Sequence, residues 1–88
     1  MSRKKSKPVG VPEMIGKKVK DITTGKIYEL IGCHQYIYNN QNYPELDGRE
    51  IYHFGLMSGA SQIPIENIEV IGAASDEVIA HCKKIGKL

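Results

Sequence analysis

Short apolar runs alternate with turn-forming residues along most of the chain, and only the last fifteen or so positions change period. Residues 14–21 open the pattern: Met14-Ile15-Gly16 reads as an entry turn, and Val19 and Ile22 flank a short strand. Thr23-Thr24-Gly25-Lys26 predicts a tight turn, since glycine supplies the positive φ that many such turns require. Residues 26–38 predict one long strand, rich in β-branched and aromatic side chains, with Gly32 marking a bulge or bend near its middle. Residues 39–49 (NNQNYPELDGR) break every period and predict a loop, long enough to be a functional one. A strand over 50–57 would put Ile51, His53, Gly55 and Met57 on one face and Tyr52, Phe54 and Leu56 on the other. Ser58-Gly59-Ala60-Ser61 predicts a turn, 62–65 a short strand, Glu66-Asn67 a brief turn and 68–71 the last strand. Ser75 then suits a helix N-cap, with Asp76 and Glu77 at the positive end of the helix dipole. Val78, Ile79, Cys82 and Ile85 recur at helical spacing as one apolar stripe.

Five short strands and a terminal helix predict a mainly β fold, and closure into a small barrel would remove unpaired strand edges. The segment Ile63-Pro64-Ile65-Glu66-Asn67-Ile68-Glu69-Val70 resembles the proline-led turn and closing strand of the Src-homology-three-like barrel. The resemblance covers roughly residues 15–71. It implies a five-stranded barrel. Together with the composition of the first residues and the period of the last, this divides the chain into a flexible arm over 1–12, a small barrel over 13–72 and a C-terminal helix over 73–88 packed on it. Src-homology-three domains hold proline-rich peptides in a groove that includes a tryptophan. This chain has no tryptophan, so the resemblance implies the fold without that ligand.

Eighty-eight residues, 41% of them hydrophobic, suffice for one small domain and exclude a two-domain enzyme. The formal charge of +2 hides a strong segregation. Residues 1–20 carry Arg3, Lys4, Lys5, Lys7, Lys17, Lys18 and Lys20 against Glu13 alone, a net of +6. Residues 21–82 carry nine acids against Lys26 and Arg49, a net of −7, and Lys83, Lys84 and Lys87 follow. A polyanion would be attracted to the ends and repelled by the middle. The first twelve residues, with four cations, two prolines and few large apolar groups, predict a disordered basic arm. Such an arm would grip phosphates, engage an acidic protein surface or stay solvated. No apolar run follows the basic residues, and none approaches a bilayer-spanning length, so the expectation is a cytoplasmic protein without membrane attachment.

All six aromatics fall between Tyr28 and Phe54. The period-two pairs Tyr36-x-Tyr38 and Tyr52-x-Phe54 would each project from one strand face, and paired strands would assemble the rings into a platform. The same rings would also complete a small core. Tyr36, Tyr38 and loop Tyr43 stand among polar neighbours and are the best candidates for exposure. Cys33-His34 and His81-Cys82 invite a zinc reading, but adjacent strand residues point to opposite faces and adjacent helix residues diverge by about 100°. Two buried, reduced cysteines and two surface histidines are expected instead, with one disulfide as the alternative. No spacing specifies a catalytic cysteine or a phosphate loop, and no metal or cofactor is expected.

These features predict a non-catalytic interaction module. Its partner would be a protein, bound through Tyr36, Tyr38, Tyr43, Tyr52 and Arg49, with an accessory or regulatory role. The alternative is a nucleic acid, with Arg3, Lys4, Lys5, Lys7, Lys17, Lys18 and Lys20 on phosphates and tyrosines stacking on bases.

Overall fold

The computed structural model describes residues 7–88. Among the described residues seven strands form two antiparallel sheets, followed by one helix. β1 (Val9–Gly10), β4 (Gly32–Ile37), β5 (Glu50–Leu56) and β6 (Gly59–Pro64) make a four-stranded sheet in the order β1-β4-β5-β6. β2 (Lys17–Asp21), β3 (Ile27–Glu29) and β7 (Ile68–Ala73) make a three-stranded sheet in the order β3-β2-β7. Helix α1 spans Asp76–Lys84.

The mainly β class with a C-terminal helix holds, whereas the closed five-stranded barrel does not. The expected long strand over 26–38 divides at Leu30-Ile31, just before Gly32. Its first part pairs with β2, and its second part with β5. Backbone bonds run from Leu30 back to Lys17 and from Ile31 across to Gly55, so the pairing partner changes between two successive residues. Gly32 and Gly55 stand directly opposite each other at this handover. No ladder joins β6 to β2, β3 or β7, which leaves two sheets in place of one closed surface.

The expected arm also ends earlier than residue 12. Val9 and Gly10 pair with Gln35 and His34, the Val11 amide donates to the Cys33 carbonyl, and Val11 is buried. A two-residue strand between prolines carries no periodic signal in the sequence. Residues 1–6, with Arg3, Lys4 and Lys5, lie outside the described residues. The hairpin joining β5 and β6 is tighter than expected: Leu56 pairs with Gly59, so Met57-Ser58 form the turn and Gly59 to Ser61 belong to the strand. A 3-10 turn over Ile65–Asn67 leads into β7.

The main core joins Val11, Met14, Val19, Leu30, Cys33, Phe54 and Ile63, with Tyr28, Tyr52, Leu56 and Ile68 packed against it. A second cluster joins Ala74, Val78 and Cys82 with Ile15, Ile31 and Ile79. The helix thus covers the place where the chain passes from one sheet to the other, and Cys82 Sγ lies 3.8 Å from the Leu30 carbonyl. Ile85 departs from the expected stripe and is 45% exposed, because the helix ends at Lys84. Ser75 makes no side-chain cap; its amide instead donates to the Glu29 carboxylate. Cys33 and Cys82 are both free and buried, one in each cluster, which sets aside the disulfide alternative. Among the described residues no helix is long and apolar enough to cross a membrane.

Candidate binding site on the four-stranded sheet

Strand alternation and register place the site. Across β4 and β5 the pairs are Cys33–Phe54, His34–His53, Gln35–Tyr52 and Tyr36–Ile51, and across β5 and β6 His53 meets Gln62. Directly opposite residues share a face. Cys33, Tyr52, Phe54 and Ile63 therefore belong to the core side, and His34, Tyr36, His53 and Gln62 gather on the outer side.

Three of those outer groups are joined by hydrogen bonds. The Gln62 amide lies 2.6 Å from the Tyr36 hydroxyl and 3.3 Å from His53 Nδ1, and the Tyr36 hydroxyl is 3.5 Å from the same nitrogen. The Tyr36 and His53 rings are tilted with centroids 6.3 Å apart. Pro8, His34, Tyr36 and His53 line an open depression of about 310 Å³. A second depression of about 210 Å³ is lined by Val9, Gln35, Tyr36, Ile37 and Glu50, so Tyr36 stands between the two.

The five residues expected to contact a partner are divided by the structure. Tyr36 is on the outer face. Tyr52 is on the opposite face, stacked on Phe54 with centroids 5.7 Å apart. Even-numbered residues of β4 oppose odd-numbered residues of β5, so Tyr36 shares its face with Ile51 and not with Tyr52. Burial, with smaller contributions from Cys33 and Glu13, pushes the Tyr52 phenol above its usual range. Tyr38 is 8% exposed and meets Tyr43 edge-on at 6.4 Å, whereas Tyr43 itself is 51% exposed. Arg49 is paired with Glu66 and reaches the Glu45 carbonyl at 3.3 Å, which makes it a tie between the loop and the turn before β7. The loop is stitched to itself: the amides of Leu46 and Asp47 donate to the Tyr43 carbonyl, and that of Gly48 to Tyr38.

The expected phosphate-binding residues are divided too. Lys17, Lys18 and Lys20 are on β2 of the other sheet, where Lys18 stands opposite Glu29 and Lys20 opposite Glu69. Lys7 is exposed and immediately precedes Pro8 at the rim of the outer depression. Another depression, about 400 Å³, is lined by Lys18, Ile27, Tyr28, Glu29, Leu56, Met57, Ser58 and Val78. There Lys18 and Glu29 face each other across the strands, and the Glu29 carboxylate already accepts from the Ser75 amide.

Burial, with a smaller contribution from Glu13, pushes the Cys33 thiol up to about 11. It is a protonated core group with little thiolate available for nucleophilic work. His34, His53 and Gln62 were not singled out as a group by the sequence, because their meeting depends on a register set across a loop of eleven residues. Comparison with protein-family models, curated proteins and solved structures finds no match.

Proposed function

We propose that this chain is a small, non-catalytic, cytoplasmic interaction module with an accessory or regulatory role, binding a protein partner at the Tyr36 face. The observation that carries this reading is the open depression bounded by Pro8, His34, Tyr36 and His53. A proline, a phenol ring and two imidazoles offer flat apolar area with polar tips, which suits an inserted side chain of a partner. The hydrogen bonds from Gln62 hold Tyr36 in place before binding, so less rotamer freedom is lost on contact. As to ancestry of shape, the order β2, the bent β3–β4 run, β5, β6, the 3-10 turn and β7 supports a likeness to the Src-homology-three-like arrangement in an open form.

Affinity enrichment with the full chain, followed by titration of each enriched protein, tests the reading. Tyr36→Ala is expected to weaken the contact by about 2 kcal/mol, roughly thirtyfold, while Lys20→Ala on the other sheet leaves it unchanged. Partners retained at full affinity by Tyr36→Ala would overturn the assignment.

One observation favours a second reading, a single-stranded nucleic acid. Lys7 adjoins Pro8 at the rim of the same depression, so the cation joins the fold beside the exposed His34 and the half-buried Tyr36 and His53 rings. Rings would stack on bases and the cations would take phosphates. A labelled oligonucleotide titrated at low and moderate salt separates the readings. Binding that weakens steeply with salt, and is lost both on removing residues 1–6 and in Tyr36→Ala, supports the nucleic acid.

A further inference from the structure

His34 and His53 are a directly opposed cross-strand pair on β4 and β5. Both line the same solvent-open depression. Opposed residues in an antiparallel pair hold their β-carbons about 4.5–5.5 Å apart, close enough for two imidazoles to converge on one ion with metal–nitrogen distances near 2 Å. We propose that these two side chains form a bidentate site for a late first-row transition-metal dication of the Ni²⁺, Cu²⁺ or Zn²⁺ type.

The ring nitrogens favour this. Tyr36 and Gln62 approach His53 at Nδ1, which leaves Nε2 as the nitrogen without those partners. With the proton on Nδ1, that nitrogen donates to the Tyr36 hydroxyl oxygen or, after a half-turn of the amide, to the Gln62 carbonyl oxygen. In that tautomer the Nε2 lone pair is available to a metal, and the contacts at Nδ1 hold the ring in place. His34 is exposed and joins from the neighbouring strand. Imidazole is an intermediate ligand that suits these ions far better than Mg²⁺ or Ca²⁺. Among the described residues no group of three His, Cys, Asp or Glu comes together, so water would complete the coordination. Cys33, although next to His34, belongs to the core on the opposite face, and His81 is on the helix. The site therefore differs from either adjacent Cys–His pair in the sequence. It does not depend on the protein-binding role of the same face.

The test is a titration of the reduced full-length chain with NiCl₂ and CuCl₂, followed by calorimetry and by NMR of the histidine ring protons, with MgCl₂ as control. One saturable site is expected, with paramagnetic broadening concentrated on His34, His53 and Tyr36 and sparing His81. His34→Ala changes an exposed side chain and preserves the fold; it and His53→Asn should each weaken binding at least about tenfold. His81→Ala should not change it. Absence of saturable binding, or equal affinity in the His34→Ala, His53→Asn double variant, would overturn the proposal.

Discussion

Asp21 is the one charged residue buried among those described. Its carboxylate accepts hydrogen bonds from the Thr23 amide at 2.9 Å and the Thr23 hydroxyl at 2.6 Å. Its backbone closes the turn through Lys26 and Gly25. The Thr23 hydroxyl, against an opposing push from burial, holds the Asp21 carboxyl below its usual value, with the Thr23 and Thr24 backbone adding to the effect. A group depressed in the folded state stabilises fully above its unfolded pKa of about 3.9, and that contribution disappears as pH falls through the lower folded value. Asp21→Ala should therefore cost about 1–3 kcal/mol in a urea melt at pH 7. The difference from wild type should shrink as acid protonates the wild-type carboxyl. Cys33 gives a second check at this scale. Its raised pKa and its burial predict alkylation by iodoacetamide that is slow in the native protein and fast in denaturant; equal rates would contradict its place in the core.

At the scale of elements, the turn after Asp21, the loop over 39–49 and the terminal helix were legible because glycine, asparagine, proline and a change of period mark them locally. Two features were not. A period of two in 26–38 fixes which residues share a face but says nothing about which strand lies alongside, and the handover at Leu30-Ile31 is a matter of neighbours. The platform of tyrosines failed for a related reason: a shift of one residue in register sends Tyr52 to the other side of the sheet. Gly16 shows how far apart in sequence the supports of one element can lie. Its φ is +77°, its carbonyl accepts from the Ala74 amide, and a β-carbon there would meet Leu88 Cδ1 at 2.9 Å. Gly16→Ala should lower stability by about 1–3 kcal/mol, read as a shift in denaturant midpoint, since a left-handed non-glycine residue carries that cost.

Across the whole molecule, the first and last parts of the described chain, from Val11 to Cys82, are built into the same small body. Val11 contributes to the main core and Val78 and Cys82 to the second. Shortening the chain through Val11 should lower the denaturant midpoint clearly, and a truncated chain as stable as the full one would count against β1. The charges are redistributed as well: Lys18 and Lys20 of β2 stand opposite Glu29 and Glu69, and of the described N-terminal cations only Lys7 adjoins the Tyr36 face. The pairing of β2 with β7 has a consequence for synthesis. Residues 17–21 find one of their two strand neighbours only when 68–73 have been made, a closure of about fifty residues that is entropically slow. A nascent chain stalled on the ribosome before Ile68 should be digested readily by protease, and resistance should arise only once residues 68–73 have left the exit tunnel.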